Sequence, residues 1–128
     1  MQIDEHFLNL IKLIEFRRDY NQSNGGNISY KRDDIIFIKP SGVHMGQLRE
    51  ESDFFCDTID KFNTFLNQRK LEEDLDNLMD QFTQTNFSQL EKRPSIETVL
   101  HTQLNRFTVH LHSVSTTILS CKKGWQDV

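Results

Sequence analysis

Apolar residues recur every three or four positions near the start of the chain, at Ile3, Phe7, Leu10, Ile11 and Ile14, with charged and polar side chains between them. That 3.6-residue period predicts an amphipathic helix over residues 3–18. The pattern stops at Asn21-Gln22-Ser23-Asn24-Gly25-Gly26-Asn27, a polar run with no apolar face to bury, which predicts a loop. Ile28 to Lys31 and Ile35 to Ile38 read as short strands hinged at Asp33-Asp34. Pro40-Ser41-Gly42 is a turn, because proline fixes its own φ and glycine tolerates φ > 0. Phe54-Phe55-Cys56 and Phe62 to Leu66 predict a second pair of strands. Leu71, Leu75, Leu78, Met79 and Phe82 restore helical spacing over residues 68–82, and residues 83–93 are polar enough for a loop. Pro94 suits the first turn of a helix from Ser95 to about Asn105. Phe107 to His112 alternates and predicts a strand, after which Ser113 can cap a last helix through Ser120.

The order helix, strands, helix, helix, strand, helix fits a layered α/β or α+β arrangement rather than a bundle or a β-sandwich. A length of 128 residues is that of one domain. With 36% hydrophobic and 27% charged residues the chain can bury a core, and its ten Phe predict that the core is Phe-rich. No window approaches the 18 or so consecutive apolar residues of a membrane span. Gln2, Asp4 and Glu5 stand where a secretory signal needs a basic start. A net charge of −4 argues against nucleic-acid binding through a broad basic face. Cys56 and Cys121 make no disulfide framework and are expected to be inert, buried thiols in a reducing cytoplasm. The acidic run Glu72-Glu73-Asp74 with Asp76 reads as a solvated helix face.

The residues richest in chemistry are Glu97, His101, His110 and His112. Residues i and i+2 of a strand share a face, so His110 and His112 would present two imidazoles side by side. Two imidazoles and a carboxylate form the protein half of a catalytic zinc site, and the short helix–strand link would let Glu97 reach them. Two other readings suit the same spacing. The imidazoles could satisfy local hydrogen bonds, or Glu97 and His101, at i and i+4 on one helix face, could pair without any metal. A second constellation is Gly25-Gly26-Asn27-Ile28-Ser29 with Pro40-Ser41-Gly42 and Pro94-Ser95. Glycines let backbone N–H groups approach an anion, and Ser and Asn add neutral donors, although each motif taken singly is also an ordinary tight turn.

Four ordered motifs resemble the class II aldolase/adducin family, in particular its fuculose-phosphate aldolase-like members: Gly26-Asn27-Ile28-Ser29, Ile38-Lys39-Pro40-Ser41-Gly42, Pro94-Ser95-Ile96-Glu97 with Leu100-His101, and Val109-His110-Leu111-His112-Ser113. The resemblance implies an incomplete three-layer α/β/α sandwich around a mixed, largely antiparallel sheet. It implies a metal-dependent lyase in which a divalent ion, usually zinc, polarises the carbonyl of a sugar phosphate for retro-aldol cleavage. Glu97, His110 and His112 would be metal ligands, with Glu97 also the acid/base. Gly26, Asn27, Ser41, Gly42 and Ser95 would hold the phosphate. Family members also include an epimerase and a dehydratase on the same metal site, and adducin-like modules that work through protein contacts. Two departures change the expectation. Ile96 stands where many family aldolases have a second serine, which puts the substrate class in question. No His follows His112, so a further family imidazole would lie beyond Val128 unless His44 or His6, from this or a neighbouring subunit, replaces it. The chain is therefore expected to be a single domain truncated at its C-terminus, to turn over little substrate alone, and to form a homo-oligomer over its exposed sheet edge.

Overall fold

The computed structural model describes residues 3–68, 77, 80–82, 84 and 92–124. Helix α1 (Glu5–Phe16) starts where the Asp4 carboxylate accepts from the backbone N–H of His6 at 2.9 Å, and it buries Phe7, Ile11 and Ile14. Four strands follow the sequence pattern: β1 (Asn27–Arg32), β2 (Ile35–Ile38), β3 (Phe55–Thr58) and β4 (Phe107–His110). They form one sheet in the order β3-β2-β1-β4, and each neighbouring pair is antiparallel. The hinge between β1 and β2 is a two-residue turn in which Asp33 takes φ 54°, a left-handed conformation that Asp tolerates better than most side chains. The remaining helices are α2 (Ile59–Asn67), α3 (Thr98–Gln103) and α4 (Val114–Ser120), the last capped by Ser113 as expected.

Alternation along the strands sends side chains to two cores, one on each face of the sheet. On the first face Ile28, Tyr30 and Phe37 pack with Ile3, Phe7, Ile11 and Ile14 and with Met45, Leu48 and Phe54 from single 3-10 turns and their flanks. On the second, Ile36, Ile38 and Phe55 pack with Phe62, Phe65 and Phe82. The high Phe count is explained there: Tyr30 stacks on Phe37 at 4.6 Å, and Phe62 on Phe82 at 4.5 Å. Helices thus lie on both faces of an antiparallel sheet, the α/β/α layering expected.

Several local expectations are corrected. Phe62 to Leu66 belongs to α2 rather than to a strand, because Phe62 and Phe65, three apart, both face the second core. The helix expected from Ser95 begins only at Thr98: the Ser95 carbonyl accepts from both the N–H and the hydroxyl of Thr98, which makes a preceding turn. Strand β4 ends at His110 rather than His112. Cys56 and Cys121 are exposed rather than buried, although partial desolvation and the nearby carboxylates of Asp57 and Glu51 hold the Cys56 thiol above its ordinary range. Of the helix expected over 68–82, Asn77 and Asp80 to Phe82 are helical, and so is Gln84 in the expected loop. Gln68 is the turn that closes α2, and the rest of that span, the acidic run included, lies outside the described residues. Among the described residues no helix is long and apolar enough to cross a membrane.

Candidate metal centre

The centre is assembled where the second face of β4 meets the turn before α3. Phe107 lies over Phe7 on the first face, with ring centroids 5.7 Å apart, so alternation turns Thr108 and His110 to the second. His112 continues that row just past the strand, and its ring stands 4.8 Å from that of His110. Glu97 caps α3 in an αR conformation, which brings its Oε1 to 2.6 Å from His110 Nδ1. One ligand atom from each of Glu97, His110 and His112 lies within 4.8 Å of the other two.

The geometry separates the competing readings of these residues. His110 Nδ1 is buried and faces the Glu97 carboxylate oxygen at close range. A local pair with Glu97 therefore accounts for that nitrogen, and His112, whose ring stands beside that of His110, brings a third donor within reach of both. A Glu97–His101 side-chain pair does not form. The Glu97 carboxylate turns to His110, while the His101 ring is wholly buried with Nδ1 2.7 Å from Ser29 Oγ. Burial, more than any neighbouring charge, pushes the His101 imidazole down to about 4. His44 Nδ1 is held at 3.0 Å by the Ser23 carbonyl, and neither His44 nor His6 joins the convergent group within this chain. Two imidazoles and a carboxylate with their ligand atoms this close suit a divalent cation of the borderline-soft kind.

The polar segments singled out by the sequence surround this group. Ser95 Oγ donates to Glu97 Oε2 at 3.3 Å and accepts from the Glu97 N–H at 3.2 Å, which fixes the carboxylate from behind. Asn27 stands opposite His110 in the β1–β4 register. Its Oδ1 accepts from the Ile28 N–H at 2.8 Å, and its buried Nδ2 has no partner. Gly26 has φ 68°, and a Cβ there would lie 2.4 Å from Asn21 Oδ1 and 2.7 Å from the His110 carbonyl, so only glycine fits. Gly25 likewise leaves room for His112, whose Nδ1 would be 3.0 Å from an added Cβ. The Ser41 N–H donates to the Arg93 carbonyl at 3.1 Å, which joins the turn bearing Ser41 and Gly42 to the segment leading to Ser95; the Ser41 side chain is exposed and Gly42, at φ 78°, is open.

Lys39, to which sequence reasoning gave no role, is buried at the centre of these loops. Its Nζ donates to the carbonyls of Val43 at 2.8 Å and Asn24 at 3.2 Å. Burial lowers its affinity for a proton, and the negative charge of Glu97 opposes that shift. A lysine closing the apolar run Ile35 to Ile38 was the available signal.

The sequence matches the family described as Class II Aldolase and Adducin N-terminal domain over residues 5–127. No curated protein matches the chain. The solved N-terminal class II aldolase domain of a conserved protein from Thermoplasma acidophilum is similar to it, with a TM-score of 0.70 at 22% identity over 94% of this chain. The similarity covers 60% of that other chain, so the present chain spans less than two thirds of its neighbour's length. Class II aldolases generally depend on a divalent metal, and the Glu97, His110 and His112 group has the composition such a site needs. With the family match running over residues 5–127 and the layered fold in common, the chain belongs to the class II aldolase and adducin N-terminal domain family.

Proposed function

We propose that the chain is a metal-dependent, zinc-type aldolase-like lyase module that acts on a sugar phosphate by retro-aldol cleavage, and that residues 1–128 form one domain of it. The observation that carries this reading is the convergence of Glu97, His110 and His112, one ligand atom of each within 4.8 Å of the other two. In it His110 and His112 hold the cation through ring nitrogens, and Glu97 supplies the balancing negative charge. When bound, such an ion polarises a substrate carbonyl as a Lewis acid. Glu97 is placed to accept and return a proton, because Ser95 holds one carboxylate oxygen while the other faces the histidines. Gly26, Asn27, Ser41, Gly42 and Ser95 bind the phosphate with neutral donors, the free Nδ2 of Asn27 among them. We place the protein in the cytoplasm, where its exposed thiols stay reduced, and read it as a homo-oligomer that covers exposed Phe16, Leu13 and Leu100.

Metal analysis beside a retro-aldol assay on ketose 1-phosphates tests the reading. The 128-residue chain should bind one divalent ion per chain, and Glu97→Gln should weaken that binding at least tenfold without loss of fold. Turnover by this chain alone should be small, because Glu97 is needed both to hold the ion and to move a proton, and only two imidazoles hold the ion while it does so. Failure to bind any divalent metal would favour a non-catalytic interaction module of the adducin kind.

A further inference from the structure

We propose that the buried Ser29–His101 pair is a positioning device for the metal centre, setting the Glu97 turn against the strands that carry His110. The inference rests on the metal reading above and concerns residues that are not themselves ligands.

Both side chains are fully buried, and 2.7 Å separates Ser29 Oγ from His101 Nδ1. Ser29 lies in the centre of the sheet, paired with Ile38 of β2 and Thr108 of β4. Two residues away on the same strand and face, Asn27 stands opposite His110. His101 lies one helical turn after Glu97, and its N–H donates to the Glu97 carbonyl at 2.9 Å. The pair therefore links the element that carries the carboxylate to the two strands that position the imidazole. A second tie acts further along α3, where Lys31 Nζ donates to the Thr102 carbonyl at 2.8 Å and to that of Leu104. Ser29 and Lys31 follow Asn27 at intervals of two, so one row of β1 runs from the histidine site to the end of α3.

Stability alone does not account for the pair. Two apolar groups of the same shape could fill the space at little or no loss, whereas His101 keeps a buried Nε2 with no partner. A directional bond offers what apolar packing lacks, one fixed angle and distance between helix and sheet. Metal sites need this, and removing a group that orients a ligand usually costs about 10–100-fold in metal affinity.

Zinc affinity of the 128-residue chain, measured by competition with a chromophoric chelator, should be compared with metal-free thermal melts for Ser29→Ala, His101→Leu and His101→Asn. Ser29→Ala and His101→Leu should melt cooperatively yet bind zinc about tenfold more weakly. His101→Asn places an amide where Nδ1 stood and keeps the bond to Ser29, so its affinity should stay within about threefold of the unaltered chain. If His101→Leu does not fold, Ser29→Ala, which removes one oxygen, decides. Folded variants that bind zinc like the parent, or an Asn variant as weak as the Leu variant, would overturn the inference while leaving the metal reading intact. A parent chain that binds no zinc would instead overturn the metal reading.

Discussion

His101 shows how one residue can carry both the fold and its pH dependence. Its imidazole titrates at about 4 in the folded chain, against an ordinary value of 6.5, chiefly because burial disfavours the charged form. Below pH 6.5 the unfolded chain takes up a proton that the folded chain refuses until about pH 4. Stability from this residue is therefore complete above pH 6.5 and is lost progressively as the pH falls toward 4. The loss amounts to about 3 kcal/mol, from a shift of roughly two and a half pH units at about 1.4 kcal/mol each. Urea unfolding at pH 7 and pH 4.5 should show a steeper fall for the parent than for His101→Asn, which has no group to titrate there. Equal falls would mean that other residues set the acid sensitivity. The imidazole could be recognised in the sequence at once. Its burial could not, because the spacing from Glu97 suited a surface pair equally well.

At the scale of elements, α1 and β1 were legible because each obeys one period. Phe7, Ile11 and Ile14 mark a helix stripe, and all three are buried in the first core with Ile3, which precedes the Asp4 cap. Ile11→Ala should cost about 2–5 kcal/mol, since Ile11 is wholly enclosed, and a thermal melt should show a clear downward shift. Lys12→Ala, on the exposed side of the same helix, should change the melt little. The element misread was α2. Phe62-Asn63-Thr64-Phe65-Leu66 is short, aromatic and partly β-branched, which favours a strand by composition. Its helical state is decided by Phe62 and Phe65 meeting Phe82, a residue 17 positions further along the chain from Phe65. A segment of five residues holds too few periods to separate the two states by itself.

For the whole molecule the relevant quantity is the coupling of folding to metal. Glu97, from the turn before α3, and the β4 histidines converge only in the folded chain, so an ion held by them stabilises folding by mass action. Zinc at about a hundred times its Kd should add about 2.7 kcal/mol, and a chelator should remove that increment. A melt indifferent to zinc and chelator would show that the three side chains do not hold the ion. Inorganic phosphate should raise the melt further if Asn27, Gly26 and Ser95 form an anion recess. Gly26→Ala should abolish that response, because its new methyl would meet both Asn21 and the His110 carbonyl.

The layered α/β class, the order of elements and the identity of the chemistry-bearing residues were determined by the sequence alone. Periodicity is local, and His110 and His112 share a face by the geometry of any strand. Only the tertiary structure decided which partner Glu97 meets. Ser95 O closes a turn on Thr98, and that turn, rather than a helix face, aims the carboxylate at His110 instead of His101. It also decided that Lys39 is buried and that Ser29 holds His101. These facts depend on contacts between residues up to 72 positions apart, and no local period encodes them.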